Sequence, residues 1–173
     1  MNDLFWKTAV RVQLGAAIET LERAVRACPD DLWGDRSRRP EFWYTVYHTL
    51  FWLDLYLSDF PATFAPPAPF TLSELDPAGL LPERVYTRDE MLAYLEHCRR
   101  KSRQTVDALT DDGMRRRYMF GSVDLDFGEL LLYVMRHVQH HAAQLNLILR
   151  QTIDSAPGWV FRGKAEVDDP PID

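Results

Sequence analysis

The stretch RHVQHHAAQLNLILR, residues 136–150, decides the reading of this chain. It lies in an apolar segment that the periodicity predicts as a helix over about 127–151. Successive helical residues rotate by about 100°. With His137 at zero, His141 falls at about 40° and Gln144 at about −20°. Leu130, Tyr133, Val134, Leu145 and Ile148 fall within about 80° on the same side, and Gln139, Ala143, Asn146 and Arg150 fall opposite. His137 and His141 are thus expected in the middle of the core stripe. Two imidazoles one turn apart can reach a single ion at about 2.0–2.1 Å. Buried and unpaired, each would cost free energy, because its ring nitrogens need partners. A metal removes that cost. Hydrogen bonds from Tyr, Gln or backbone groups would also remove it, and the spacing alone leaves both open. His140, about 60° off the centre, is expected to stay outside any ligand set.

A second stretch, FWYTVYHTLFWLDLYL at residues 42–57, carries one further histidine. Pro40 and Pro61 bound this predicted helix, because proline suits a helix start and breaks an interior. Tyr44, Phe51, Trp52 and Leu55 share a face with His48, so His48 also points into apolar surroundings. At 1.5 Å per residue it lies roughly 10 Å from the start of its helix, while His141 lies roughly 15 Å from the end of its own. Antiparallel helices would bring the two to similar depths. Val46, Leu50, Leu53 and Leu57 make the far side of the helix apolar too. Burial beneath the following loop and a homodimer surface both explain them.

Two more helices complete the pattern. The first spans about 3–26, with Leu14, Ile18, Leu21 and Val25 on the core side and Glu19, Glu22, Arg23 and Arg26 opposite. The other spans about 88–109 and opens with a capping box, Thr87 to Glu90. Its core candidates are Met91, Leu92, Leu95, Val106 and Leu109. Between them, residues 60–86 carry six prolines and no clear period. A connection of that length can cross the fold. The expected architecture is all-α: one domain over 1–173, a four-helix bundle running up-down-down-up, with helices at about 3–26, 41–59, 88–109 and 127–151. A short hairpin is expected around Gly121-Ser122. The tail, 152–173, is expected to be irregular, with Trp159, Val160 and Phe161 pinning its first half.

Composition narrows the function classes. The net charge of −6 comes without a basic stripe, and Arg115-Arg116-Arg117 sits beside Asp111 and Asp112. That argues against nucleic-acid binding. Cys28 and Cys98 have no metal-type spacing and read as free thiols of a reducing compartment. The N-terminal MNDLFWKTAVRVQLG has no continuous apolar core, so no signal peptide is expected. No stretch is apolar enough to span a bilayer. A cytoplasmic protein is expected. His97, between Glu96 and Cys98 and near three basic residues, reads as solvated.

The HxxHHxxQ stretch, His137 through Gln144, together with His48 in its aromatic-rich helix, resembles the DinB-like superfamily over about residues 3–151. The resemblance implies an up-down-down-up bundle, often dimeric. It implies a divalent metal, zinc or nickel most often, held by His48, His137 and His141. Some relatives are transferases or isomerases that use low-molecular-weight thiols, so a thiol and an electrophilic small molecule are the implied partners, in a homodimer. Three neutral imidazoles leave a cation its full charge and an open position, which is a catalytic type of shell. Such a cation favours a bound thiolate or hydroxide as nucleophile. A metal-dependent S-transferase, a metal-dependent hydrolase and a metal-stabilised binding protein are the functions this admits. Tyr133 and Gln144, on the same stripe, are candidates to orient ligands.

Overall fold

The computed structural model describes residues 3–59 and 61–163. Four long helices carry it: α1 (Asp3–Ala27), α3 (Phe42–Tyr56), α4 (Arg88–Ala108) and α6 (Phe127–Ile153). Two short helices, α2 (Asp30–Trp33) and α5 (Asp111–Arg115), lie in the connections and were not visible in the periodicity. The expected hairpin forms between β1 (Arg117–Phe120) and β2 (Val123–Asp126), with Phe120 opposite Val123 across Gly121-Ser122. Gly121 has φ 57, a left-handed conformation that glycine adopts without strain. None of the described helices is long and apolar enough to cross a membrane.

The apolar faces of α1 and α4 follow the sequence pattern. Leu14, Ile18, Leu21 and Val25 are buried in the core, as are Met91, Leu95, Val106 and Leu109. Leu92 is partly buried against it. Glu19, expected on the polar face, is also buried. Its carboxylate lies 2.6 Å from the Arg23 guanidinium one turn on, so the charge is paired where it is covered. The capping box of α4 forms: the Glu90 N–H donates to Thr87 Oγ1, and Glu90 Oε2 accepts from the Thr87 N–H.

Helix α3 is nearly all interior. Of its residues Phe42–Tyr56, only Tyr44, His48 and Trp52 are partly exposed, and these three follow one another at intervals of four. They form one stripe. Val46, Leu50, Leu53 and Leu57 are covered within the chain itself, so that face leaves no apolar surface for a second copy. α3 ends at Tyr56 rather than 59.

Side-chain pairs give the helix directions. Going along α3, Tyr47 touches Tyr86, Cys98 Sγ lies against Leu50 O, and Asp54 meets Lys101. Helices α3 and α4 therefore run the same way. His48 meets His141 and Tyr56 meets Tyr133, so α6 runs against α3. Arg99 pairs with Glu22 while Lys7 donates to Asp107 O, so α1 runs against α4. The connection between α3 and α4 is pinned along its length: Phe70 stacks on Tyr94 and Tyr47, and the Tyr47 hydroxyl donates to Thr71 O at 2.6 Å.

Burial at Asp54 demands a partner, and α4 supplies it. Lys101 Nζ lies 2.5 Å from Asp54 Oδ1, and it also donates to Asp54 O and Ser58 Oγ. Tyr94 donates its hydroxyl to Asp54 Oδ2. His97, expected to be solvated, is half-buried one turn before Lys101, with Nε2 3.3 Å from Asp54 Oδ1. The tail differs from expectation as well. Val160 is buried, but Trp159 is 74% and Phe161 78% exposed. Val160 and backbone contacts hold the tail. The Gly163 N–H donates to Val12 O, and a Cβ on Gly163 would stand 2.7 Å from the Gly15 carbonyl carbon, an approach only glycine permits. The tail beyond residue 163 lies outside the described residues.

Lys101→Ala removes the principal cation facing a buried carboxylate, and the expected loss of stability is about 3 kcal/mol. Urea unfolding followed by circular dichroism measures it. A loss below about 0.5 kcal/mol would show the ion pair to be solvent-like.

Candidate metal centre

His48, His137 and His141 converge. One ligand atom from each lies within 4.8 Å of the others, and among the described residues no other such group of metal-binding side chains forms. His48 Nε2 and His137 Nε2 stand 3.4 Å apart. The rings stand edge to face, with His141 centroids 4.8 Å from His48 and 4.6 Å from His137. Helix geometry fixes the α6 pair, one turn apart. The antiparallel course of α3 brings in His48. The pair does not sit mid-stripe as the angular reading expected. The buried side of α6 centres on Val138, Ala142 and Leu145, and His137 and His141 lie partly exposed on its flank. The helix packs on both α1 and α3, which shifts its buried centre away from the histidines.

For two of the three rings the outer nitrogen's partner tells which nitrogen faces inward. His48 Nδ1 lies 2.7 Å from Glu74 Oε2, which also accepts from Trp52 Nε1 at 2.9 Å. A carboxylate takes a proton donor, so His48 carries its hydrogen on Nδ1 and turns the Nε2 lone pair inward. His141 Nδ1 lies 2.7 Å from Gln144 Oε1, with the same consequence. His137 Nδ1 is buried without a partner. Burial, helped by the neighbouring His141 and His48, lowers the His137 pKa to about 3. Burial chiefly lowers His141 too. His137 and His141 are therefore neutral near pH 7, the form that binds metal. Burial by itself would raise Glu74, but hydrogen bonds from His48 and Tyr44 hold its carboxyl below the usual range.

A divalent cation fits this donor set. Two nitrogens about 2.0–2.1 Å from a tetrahedral centre stand about 3.3–3.4 Å apart. The His48–His137 separation is 3.4 Å. With Glu74 on its outer nitrogen, His48 turns its Nε2 toward His137 Nε2 at that distance; a hydrogen on His137 Nε2 would satisfy it, and so would a cation between the two rings.

Other predicted positions sort out cleanly. His140 is exposed and outside the group, its ring 5.0 Å from that of His141. Gln144 contacts the site directly. Tyr133 packs edge-on to Tyr56 at 5.5 Å, and with His137, Arg136 and Trp159 it borders a cleft of about 610 Å³. Both cysteines are free and buried, and burial pushes the Cys28 thiol up to about 12, away from reactivity. Glu74 was not foreseen. It sits in a 3-10 turn, Ser73–Leu75, inside the proline-rich connection. A single acidic residue in an aperiodic loop carries no sequence signal of its own.

A family model for the DinB superfamily matches residues 13–145, a span that contains all three histidines. The chain belongs to the DinB superfamily. No curated protein and no solved structure matches it. Membership agrees with a mostly helical chain bearing three converging imidazoles, and the family is generally metal-binding.

The depressed histidines make metal-free stability depend on pH. Unfolded, His137 titrates near 6.5; folded, near 3. Below pH 6.5 the unfolded chain takes up protons that the folded site refuses. This contribution is complete above the unfolded value and is lost as pH falls toward 3. The melting temperature of metal-free protein should fall from pH 7 to pH 4.5, and His137→Leu should flatten the slope. An identical slope in that variant would contradict the assignment.

Proposed function

We propose that this chain is a divalent-metal protein of the DinB superfamily, with His48, His137 and His141 as ligands and zinc or nickel as the metal. The observation that carries the reading is the 3.4 Å approach of His48 Nε2 and His137 Nε2, with the outer nitrogens of His48 and His141 already engaged by Glu74 and Gln144. Its setting is the family's up-down-down-up four-helix bundle, supported by α3 running with α4 and against α6. A cytoplasmic homodimer is part of the same proposal.

The function is a metal-dependent transferase that joins a low-molecular-weight thiol to an electrophilic small molecule. Three neutral protein ligands leave a tetrahedral site one position short, unlike a four-ligand structural site. A cation bound there would supply Lewis acidity, lowering the pKa of a thiol or water. The chain's own residues hold and orient. Glu74 and Gln144 fix the His48 and His141 rings, and Tyr133 stands one turn from His137 at the neighbouring cleft. Hydrolysis would use the same centre with water as nucleophile, and is the alternative reaction. A non-catalytic, metal-stabilised binding protein is the remaining alternative.

Metal analysis of tag-free protein tests the centre. One equivalent of zinc or nickel per chain is expected, and His48→Ala or His141→Ala should lose it with helical content unchanged. Chelation should lower the melting temperature, since a ligand bound only by the native state stabilises by mass action. Thiol transfer, screened with several thiols and electrophiles, should fall to background in metal-free protein and in His48→Ala. Full turnover without metal would sink both the transferase and the hydrolase.

A further inference from the structure

Glu74 lies outside the helices, yet its side chain is only 4% exposed and it reaches the one ligand that α6 does not supply. Four residues of α3 hold it there. The Tyr47 hydroxyl fixes the backbone at Thr71 and lies 3.2 Å from Ser73 Oγ. His48 and Trp52 then place two N–H groups on the same oxygen, Oε2. Tyr44, one turn before His48, also hydrogen-bonds the carboxylate. The other oxygen, Oε1, is buried with no partner. Glu74 is not itself in the converging group, which consists of imidazoles only.

We propose that Glu74 is a positioning residue of the metal centre: the crossover loop delivers a carboxylate that fixes the His48 tautomer and ring direction, and so completes the ligand set. The inference rests on the three-histidine reading above. Its physical basis is the choice of nitrogen. A free imidazole can carry its hydrogen on either nitrogen, and only the Nδ1–H form leaves Nε2 free to meet His137. The carboxylate makes that form the dominant one, and its negative charge raises the donor strength of the ring. Trp52 and Tyr44 hold the carboxylate against rotation. The loop is thereby part of the centre, though it supplies no ligand.

Two readouts test this, one with zinc and one without. In metal-free protein, nitrogen-15 spectra of the histidine rings at pH 7.5 should show His48 as the Nδ1–H tautomer. Glu74→Gln, which keeps an acceptor, should retain that form, and Glu74→Leu should lose it. Zinc affinity by chelator competition should weaken by about 10–100-fold in Glu74→Leu and by less in Glu74→Gln. Glu74→Met gives the same reading if the leucine variant does not fold. An unchanged tautomer, or zinc binding within about twofold of the parent in a folded Glu74→Leu or Glu74→Met, overturns the proposal. So does a drop in metal-free stability with both readouts intact, which would make Glu74 merely structural. Failure of the parent protein to bind zinc or nickel would refute the metal reading, while the tautomer comparison would still decide the role of Glu74 on His48.

Discussion

Three imidazoles turned toward one point impose the strongest constraint on this molecule. Burial keeps His137 and His141 neutral, and the outer partners of His48 and His141 turn one nitrogen of each toward the other rings. That is costly in an apolar bundle unless something positive sits among them and something accepting sits behind. The second condition is visible for two of the three rings: Glu74 stands behind His48, and Gln144 behind His141. Much of the architecture serves this condition. α6 supplies two imidazoles through its own pitch, α3, running against α6, supplies the third, and the connection after α3 folds back to reach His48.

Helix α3 shows the same logic twice. It is interior around most of its circumference, so each polar group on it needs a partner: Thr45 and Thr49 donate to carbonyls one turn back, and the larger groups are served by other elements. Asp54 is served from α4, by Lys101, His97 and Tyr94. His48 is served from the connection, by Glu74. The two polar residues lie on different sides of the helix, and their partners come from different segments. A long crossover is therefore more than a spacer between parallel helices. It closes one side of α3 with Phe70 and Thr71 and brings one charge to the site.

What could be read from the sequence follows from what has a period. The long helices were legible because their apolar residues recur at three and four, and because Thr87, Pro40 and Pro61 mark ends. The three histidines were legible because each falls within such a pattern, so its face could be counted. Glu74 was not, because the loop between Pro61 and Tyr86 has no period from which a direction could be counted. His97 misled because its neighbours in sequence are charged, while its neighbour in space is the buried Asp54. Glu19 misled for the converse reason: helical counting assigns a face but does not show that Arg23 can cover a carboxylate there. In the tail, aromatic character suggested anchoring by Trp159 and Phe161, whereas Val160 and a close backbone approach at Gly163 hold it.

The ligands of the proposed centre differ in what they require of the fold. His137 and His141 are one turn apart, so a helix alone spaces them, and any state that keeps α6 helical keeps the pair. His48 reaches them only when α3 is docked against α6, 89 residues away in sequence from His137. Its ring faces them only when the crossover loop is docked on α3. A two-histidine helix binds a cation weakly and without tertiary structure, whereas the third donor makes binding conditional on packing. The free energy of the third coordination bond is then coupled to α3, α6 and the loop together. The least periodic segment of the chain thus comes under the same constraint as its most regular helices.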